Sequence, residues 1–367
     1  WLWQLKEKWP LFVLSAVLVT IIFYAPGETE TLLKTFPLSD RLANAPVAFM
    51  TYLAKTFWPY GLAILYPFNA DIPAWQVLGA VLIILAMTVF TLLKIRHLPF
   101  LLVGWFWLAI TIAPVLGIIQ ISLSTPYAMA DRYHYLPSIG IAVMIAWGLP
   151  HLFAHRNALK KILFSAGIIF IVSMSILTWK QCSRWFNTVT LFSHTLKITE
   201  NNYVAHNNLG LTLYKAGRIN DAILHYNKAI AIKPDYAIAY NNRGNVYSQL
   251  KRHSNALEDL NEAIRLRPDL ADAYNNRGSV YFRMQDYKKS IKDFNEAIRL
   301  KPSFSFAYQN LGLAYLKQDN EDIACINLRQ ACSMGICNNL DWAKDKGFCV
   351  SAVEKILNLI TNNSHFL

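Results

Sequence analysis

A dense group of polar side chains interrupts the apolar amino-terminal half of the chain. Asp131, Arg132, Tyr133 and Tyr135 stand together in the segment MADRYHYLPSIG, residues 129–140. A guanidinium beside tyrosine hydroxyls is suited to phosphate oxygens, because arginine donates paired hydrogen bonds to such anions. The group therefore predicts a site for a lipid-linked phosphate. The alternative is an ion pair between Asp131 and Arg132 that braces two helix ends, with the tyrosines as anchors at the membrane surface.

A second pattern with chemical meaning is a row of asparagines in the carboxy-terminal half. A carboxamide both donates and accepts hydrogen bonds, so such a row can hold the backbone of an extended peptide. Asn241 and Asn275 add polarity beside it. The alternative is that asparagine is simply common at this position and has no binding role. At intervals of 34 residues the row comprises Asn208, Asn242, Asn276 and Asn310.

The interval of about 34 residues is that of the tetratricopeptide repeat, a pair of helices that stack into a solenoid. Gly244, Ala256 and Ala263 stand where helices A and B of one repeat must approach closely, and Pro268 ends helix B. A solenoid leaves a long concave face, so the expected partner is a protein or peptide. The solenoid is predicted over residues 181–338, as half a repeat followed by repeats at 203–236, 237–270, 271–304 and 305–338, and a capping helix is predicted over 339–367.

Residues 1–180 have the composition of a membrane domain. Runs that approach the roughly 20 apolar residues needed to cross hydrocarbon recur through this region. The segment 46–68 is apolar but contains Lys55, Pro59 and Gly61, which favours a re-entrant or interfacial helix over a span. The predicted fold class is therefore all-α, a polytopic transmembrane helix bundle followed by a tetratricopeptide-repeat α-solenoid. Five spans are predicted, at 9–25, 81–93, 100–119, 140–149 with its flanks, and 162–179.

Positive charge in the short loops predicts the orientation. Lys6 and Lys8, the cluster at 94–97 and the cluster at 155–161 fall on one side of the membrane if 46–68 does not cross. By the positive-inside rule that side is cytoplasmic, which places the repeats outside the cytoplasm. The net charge of +12 has this topological origin, and no basic and aromatic stripe of the kind that binds nucleic acid is present in the sequence, so no nucleic-acid partner is expected.

The cysteines predict a disulfide in the exported part. Cys337 and Cys349 flank the turn DWAKDKGF at a distance suited to a bridge across the carboxy-terminal cap. No CxxC pair or nearby histidine pair supplies four zinc ligands, so no metal site is expected. The odd number of cysteines leaves at least one thiol free or paired between chains. The five are Cys182, Cys325, Cys332, Cys337 and Cys349.

Several motifs in this order resemble a known family. In chain order, the motifs are KTFWPYGLAILYPF at 55–68, ADRYHYLPSIG, and RWFNTVTLF followed directly by repeats. This arrangement is similar to that of bacterial membrane proteins with tetratricopeptide tails, and to that of the transmembrane and tetratricopeptide-repeat O-mannosyltransferases. The resemblance implies a C-type glycosyltransferase with a polyprenyl-phosphate-linked sugar as donor and no other cofactor. It further implies an inner-membrane protein whose chemistry and repeats are both periplasmic.

The chain departs from that family in its acidic residues. Such enzymes hold key carboxylates in the first outer loop, where one acts as a base on the acceptor hydroxyl, whereas Glu28 and Glu30 form no convincing pair. The chain is therefore interpreted as the carboxy-terminal part of such an enzyme, with its catalytic residues unassigned. Two functions remain open, a lipid-linked-sugar-dependent protein O-glycosyltransferase and a non-catalytic membrane scaffold for extracytoplasmic protein interactions.

Overall fold

The computed structural model describes residues 37–59, 61–67, 71–116, 127–129, 135–152 and 157–349. The chain divides into two compact units, Trp1–Glu200 and Asn201–Leu367. The division falls after Glu200 and not at the predicted boundary near residue 180, so the helix predicted as half a repeat belongs to the first unit. The predicted span at 9–25, with Lys6, Lys8, Glu28 and Glu30, lies outside the described residues.

The described residues of the first unit form helices and one short strand pair. Strand β1 (Tyr66–Pro67) pairs antiparallel with β2 (Tyr127–Met129), a feature that the all-α prediction lacks. The 3₁₀ turn Ala113–Val115 directly follows the third helix. The helices described in this unit are α1 (Leu38–Phe57), α2 (Ala74–Leu93), α3 (Pro99–Ile112), α4 (Tyr135–Leu152), α5 (Asn157–Arg184) and α6 (Thr188–Ile198).

Two helices of the described chain are long and apolar enough to cross a bilayer. They are α2 and the part of α5 from Ser165 to Arg184, each with 20 residues. Only 11% of the most apolar window of α2 and none of that of α5 is buried by protein. The predicted spans at 81–93 and 162–179 lie in these two helices. The span predicted at 100–119 coincides with the shorter apolar stretch Pro99–Val115 over its described helical part, and residues 117–119 lie outside the described residues; the span at 140–149 lies in the stretch Tyr135–His151.

The segment 46–68 forms the end of α1 followed by a loop and β1, so it is not one continuous helix. From the last turn of α1 the Lys55 ammonium reaches this loop, where it donates to the carbonyl oxygen of Gly61 at 2.9 Å, and it also donates to the Tyr66 hydroxyl at 2.7 Å. The Tyr66 hydroxyl in turn donates to the Gly61 carbonyl at 2.7 Å. The charge that argued against a span is thus hydrogen-bonded within the loop. The membrane depth of this segment stays a prediction.

The core of the first unit lies between α1 and α3. Trp105 is 2% exposed, meets Phe49 edge to face, and donates its indole N–H to the Thr88 hydroxyl at 2.9 Å. Helices α3 and α4 touch backbone to backbone at Gly104 and Gly140, where a Cβ on either glycine would meet the other's carbonyl oxygen. Small residues allow two helix backbones to approach this closely. The resulting van der Waals contact is a source of attraction between helices in a bilayer.

The second unit contains the four predicted repeats. Helix B ends two residues before Pro234, Pro268 and Pro302 in the first three repeats, as predicted, because proline cannot continue the helical hydrogen-bond ladder. The A helices are α7 (Tyr203–Lys215), α9 (Ala237–Gln249), α11 (Ala271–Arg283) and α13 (Ser305–Leu316). The B helices are α8 (Ile219–Ile232), α10 (His253–Leu266), α12 (Tyr287–Leu300) and α14 (Glu321–Ser333).

Helices A and B of each repeat pack through small residues, which confirms the predicted architecture. A Cβ at Gly278 would lie 2.8 Å from the ring of Phe294, and one at Gly210 would lie 2.8 Å from the ring of Tyr226. These distances are too short for any side chain, so glycine is required there. The small residues of helix B opposite them are fully buried, namely Ala222, Ala256, Ser290 and Ala324.

The carboxy-terminal cap differs from the prediction of one helix. Helix α15 (Asn338–Asp345) ends after 8 residues. The chain then turns through Gly347, with φ +82°, to Cys349. The helix therefore does not continue through the segment 346–349. Residues 350–367 lie outside the described part of the chain.

The predicted disulfide Cys337–Cys349 is wrong. Gly335, with φ +94°, turns the chain after α14 so that Cys337 returns to Cys332, with a Cα separation of 4.1 Å. The reversal after α15 brings Cys349 against α14, where it pairs with Cys325 at 5.2 Å. Turn geometry and not spacing along the chain decides the pairing. Cys182 is a free, exposed thiol.

The close contact of α3 and α4 predicts that Gly140→Leu destabilises the first unit. The added side chain must push the backbone at Gly104 away, and overpacking of this kind costs about 1–3 kcal/mol or more. Gly79→Leu on α2 is the matched control, because nothing lies within 4 Å of a Cβ at that position. Thermal unfolding of both variants in detergent, followed by circular dichroism, is the measurement. Equal unfolding midpoints would show that this contact is not needed.

Candidate peptide-binding site

The A helices of the repeats form a continuous face. Each A helix contacts the A helix of the next repeat, from α7 through α9 and α11 to α13, as well as the B helix of its own repeat. A side chain at a given A-helix position is therefore brought beside the same register in the neighbouring repeat. We call the surface formed by the A helices α7, α9, α11 and α13 the A face, and the asparagine row lies on it.

The asparagine side chains form hydrogen bonds from one repeat to the next. In each case an asparagine of the row donates from Nδ2 to Oδ1 of the first asparagine of the Asn-Asn pair in the preceding repeat. The first asparagines are buried, whereas the second are half-buried. The three bonds, each 2.9 Å long, join Asn242 to Asn207, Asn276 to Asn241, and Asn310 to Asn275.

These bonds brace the solenoid and leave part of each carboxamide available. A carboxamide carries two N–H donors and one carbonyl acceptor, and the bond between repeats uses one donor of the second asparagine. The Oδ1 of Asn208 and of Asn242 also lie 3.4 Å from the Nδ2 of the preceding residue. A bond of this kind contributes about 0.5–1.5 kcal/mol to stability. The remaining donor and the carbonyl are the pair that a peptide backbone needs.

Further polar groups extend the A face toward the carboxyl ends of its helices. Arg283 on α11 donates from Nη1 to the carbonyl and hydroxyl oxygens of Ser248 on α9, at 2.8 and 3.0 Å. Burial raises the pKa of Tyr214 on α7, while Arg283, Gln249 and Asn245 act in the opposite direction. Side chains from three successive A helices thus meet around one hydroxyl. Phe282 on α11 packs against Tyr287 with ring centroids 5.5 Å apart.

A cationic row that sequence reasoning missed lies at the carboxyl ends of the A helices, at the last residue of α7, α9 and α11 and at the residue after α13. The residues recur at the repeat interval, a signal that was available in the sequence. All four side chains are exposed, three of them are basic, and they lie on one edge of the A face. They are Lys215, Gln249, Arg283 and Lys317.

The two central repeats carry a second feature that was missed, a buried arginine–aspartate pair between helices A and B. Arg277 makes two hydrogen bonds of 2.8 Å to the Asp293 carboxylate, which is 6% exposed, and a third of 2.7 Å to Asn261. These bonds raise the pKa of Arg277. Arg243 repeats the arrangement with Asp259. Removing one partner of such a pair leaves an uncompensated buried charge, so the pairs serve architecture.

In the first repeat, His206 stands at a position that is tyrosine in the other repeats, and it pairs with His225 of helix B. Nδ1 of His206 lies 2.9 Å from Nδ1 of His225, and the rings are 5.2 Å apart. Burial, together with His225 and Lys228, lowers the pKa of His206 to about 4, and burial also lowers that of His225. The pair is therefore neutral in the folded protein near pH 7. Tyr240, Tyr274 and Tyr308 occupy the position of His206 in the other repeats.

The histidine pair predicts that acid destabilises the second unit. Unfolded histidine binds a proton near pH 6.5, whereas folded His206 resists protonation down to about pH 4. The unfolded state therefore holds more protons in this window, and the free energy of unfolding falls as the pH falls from 6.5 to 4. Urea unfolding at pH 7.5, 6 and 5 measures this. His206→Tyr should flatten the dependence, and an unchanged slope would assign it to other groups.

The predicted lipid-phosphate group is described only at its last residue. Asp131, Arg132 and Tyr133 lie outside the described residues. Tyr135 stands at the amino-terminal end of α4 and is 77% exposed, and its carbonyl accepts from the Ser138 hydroxyl at 2.6 Å. The site therefore stays a prediction.

Fold and repeats together define a protein with a tetratricopeptide domain. Residues 210–251 and 244–285 match a family model described as TPR repeat, and residues 271–304 and 307–334 match two models of the tetratricopeptide repeat. The chain therefore contains tetratricopeptide repeats, which are protein-interaction modules.

Curated relatives share a part of the chain. Protein O-mannosyl-transferase Tmtc3 of Drosophila melanogaster is 25% identical over 134 residues, 36% of this chain and 14% of that protein. Protein O-mannosyl-transferase TMTC1 of Homo sapiens is 25% identical over 230 residues, 58% of this chain and 26% of that protein. The chain thus spans about a quarter or less of the length of these relatives. A crystal structure of MamA is 32% identical, with 40% of this chain and 85% of that chain covered and a TM-score of 0.36.

Proposed function

We propose that this is an integral membrane protein whose tetratricopeptide domain lies outside the cytoplasm and holds extended polypeptide segments on its A face. The observation that carries the proposal is the row of carboxamides, each with a donor and an acceptor left over from the bonds between repeats. Groups at a regular spacing can bind a peptide backbone without reading its side chains. The cationic row at Lys215, Arg283 and Lys317 favours segments that also carry acidic residues.

Placement in a membrane is supported by the exposed apolar surface of α2 and α5. Large apolar side chains such as Ile168, Ile169 and Ile171 on α5 are exposed, an arrangement that water disfavours and lipid does not. Placement of the repeats outside the cytoplasm is supported by the two disulfides of the second unit, since such bonds persist in oxidising compartments. The positive loop clusters favour the same side. In a bacterium this is the periplasmic side of the inner membrane.

The finer proposal is that the chain is the carboxy-terminal part of a protein O-glycosyltransferase. Its support is the partial similarity to the two protein O-mannosyl-transferases together with the motif order around Arg132. In this proposal the group of Asp131, Arg132, Tyr133 and Tyr135 forms the site for the phosphate of a polyprenyl-linked sugar, with Arg132 and the tyrosine hydroxyls as the donors, and the repeats present the acceptor. A membrane-anchored scaffold that gathers proteins without catalysis is the second candidate. It is favoured by the A face, because that surface is the only feature that such a function requires.

Substitution of Arg132 separates the two candidates. Under the transferase proposal, Arg132→Gln should abolish transfer from a polyprenyl-phosphate sugar in the protein that includes the catalytic loop, because a charged donor to the phosphate is lost. Peptide capture by the repeats should be unchanged. Under the scaffold proposal the unsubstituted protein transfers no sugar and Arg132→Gln changes nothing. Sugar incorporation into a serine- and threonine-rich peptide is the measurement.

The A face predicts that Asn242→Ala combined with Asn276→Ala weakens peptide binding. Each substitution removes a carboxamide that can make two hydrogen bonds to a peptide backbone, so affinity should fall by about tenfold or more. Fluorescence anisotropy with short, unstructured peptides rich in serine and threonine measures the affinity.

The control for this experiment is Asn255→Ala combined with Asn295→Ala. Both asparagines are exposed on the B helices α10 and α12, so the composition change is the same on another face. Unfolding midpoints of both double variants show whether the repeats remain folded at the temperature of the binding assay, since the A-face variant also loses two bonds between repeats. Equal affinity of the two double variants would refute binding on the A face.

The two disulfides predict how many thiols of the protein react with N-ethylmaleimide that is added to cells at harvest. If the repeats lie in an oxidising compartment, one thiol, that of Cys182, should be alkylated before reduction and five after it. Intact-mass measurement counts the adducts. Five adducts before reduction would place the second unit in a reducing compartment and contradict the proposed side of the membrane.

A further inference from the structure

The first unit contains a cavity that neither the predicted spans nor the repeats account for. Its volume is about 560 Å³, and it lies among the loop after α1, the carboxy-terminal half of α5, and α6. All three of its walls belong to one compact unit. The cavity is therefore a feature of the fold of this unit.

The walls of the cavity are held by specific contacts. The Lys55, Gly61 and Tyr66 hydrogen bonds fix the shape of the loop after α1. Gly61, with φ +63°, lies against Ile198 of α6, and a Cβ there would stand 3.3 Å from the Ile198 side chain. Asn187 caps the start of α6 with its side chain, which accepts from the Thr190 amide at 2.8 Å. Hydrogen bonds and packing contacts therefore define the shape of the cavity.

Basic side chains from two helices converge on the cavity. Lys180 and Arg184 come from the end of α5, and His194 and Lys197 come from α6, whereas no aspartate or glutamate is among the described residues that line it. Across the described part of the chain, neither Lys180 nor Lys197 has an ion-pair partner. Arg184 donates from Nη1 to the side-chain Oε1 of Gln181 at 2.8 Å, which holds the guanidinium in place.

The electrostatics of His194 reflect this arrangement. Burial lowers its pKa, and Arg184 and Lys197 lower it further. Cations from both helices therefore act on the same point, and none of the described lining residues offsets them. A cavity with this charge pattern attracts an anion, and phosphate is the anion for which arginine and lysine together provide directed donors.

The other side of the cavity is apolar and continues along the candidate span. Met174 and Leu177 of α5 line it together with Leu62. Beyond them α5 carries exposed isoleucines as far as Ile168. A ligand seated here meets cations at one end and an apolar helix surface at the other, which is the chemistry of a phosphate attached to a hydrocarbon chain.

We propose that this cavity binds the phosphate group of a membrane lipid, with Lys180, Arg184 and Lys197 as donors and the apolar chain of the lipid along α5. The inference rests on the proposed membrane placement and not on glycosyl transfer. None of its described lining residues belongs to the predicted group of Asp131, Arg132, Tyr133 and Tyr135. Two sources share the chemistry, a glycerophospholipid with a phosphomonoester headgroup and a polyprenyl phosphate.

The test is a binding measurement on the full chain in detergent with three probes, farnesyl phosphate, dioctanoyl phosphatidic acid, and farnesol. Lys180→Gln combined with Lys197→Gln should weaken binding of the phosphorylated probes by about tenfold or more, because two charged hydrogen-bond donors are lost. Lys94→Gln combined with Arg96→Gln removes two exposed charges outside the cavity and is the matched control, expected to bind as the unsubstituted chain does. Unfolding midpoints of both double variants verify that they are folded.

The outcomes separate this site from the proposed donor site. If farnesyl phosphate binds more tightly than phosphatidic acid, the lipid is assigned as a polyprenyl phosphate. If farnesyl phosphate binds equally or less tightly, the lipid is assigned as a glycerophospholipid. Equal affinity of the cavity variant and its control overturns the inference, as does binding of farnesol as tight as that of farnesyl phosphate. Loss of all phosphate-probe binding in Arg132→Gln, with none lost in the cavity variant, would overturn the inference and leave the proposed function standing.

Discussion

A hydrogen bond between two asparagine carboxamides joins each tetratricopeptide repeat of this chain to the preceding one. Solenoid repeats contact only their neighbours, so the geometry of the whole face depends on what fixes each repeat against the next. The bonds from Asn242, Asn276 and Asn310 do so through the same pair of positions in each case and with the same length. They also orient the carboxamides. The same interaction therefore stabilises the array and prepares a polar row for a peptide backbone.

Charge is used differently in the two units. In the second unit, Arg243 and Arg277 of the central repeats are paired with buried aspartates, so their charge serves the packing of helix A on helix B. In the first unit, Lys180 and Lys197 border a cavity with no carboxylate among its described lining residues. A paired cation is architecture, because its charge is neutralised inside the fold. Unpaired cations beside an apolar helix surface are what a lipid phosphate requires.

The sequence predicted features that repeat and failed on features that depend on turns. The repeat interval predicted the helices, the tight contacts at Gly278 and Gly210, and the role of the prolines, because each is imposed by the period itself. The disulfide pairing was wrong since it depends on the turn at Gly335, which no pattern in the sequence encodes. The bonds between asparagines were not anticipated either, because they join different registers of adjacent repeats. The cavity of the first unit is lined by residues from the loop after α1, from α5 and from α6, and spacing along the chain gives no sign of it.

The most direct test of the account is site-specific photo-cross-linking of a bound peptide. A benzophenone amino acid in place of Gln249 lies on the A face, whereas one in place of Glu258 lies on the exposed surface of a B helix, and both positions are exposed. With an unstructured peptide rich in serine, threonine and acidic residues, the account predicts cross-links from position 249 and not from position 258. Equal cross-linking from the two positions, or cross-linking from position 258 alone, would contradict it.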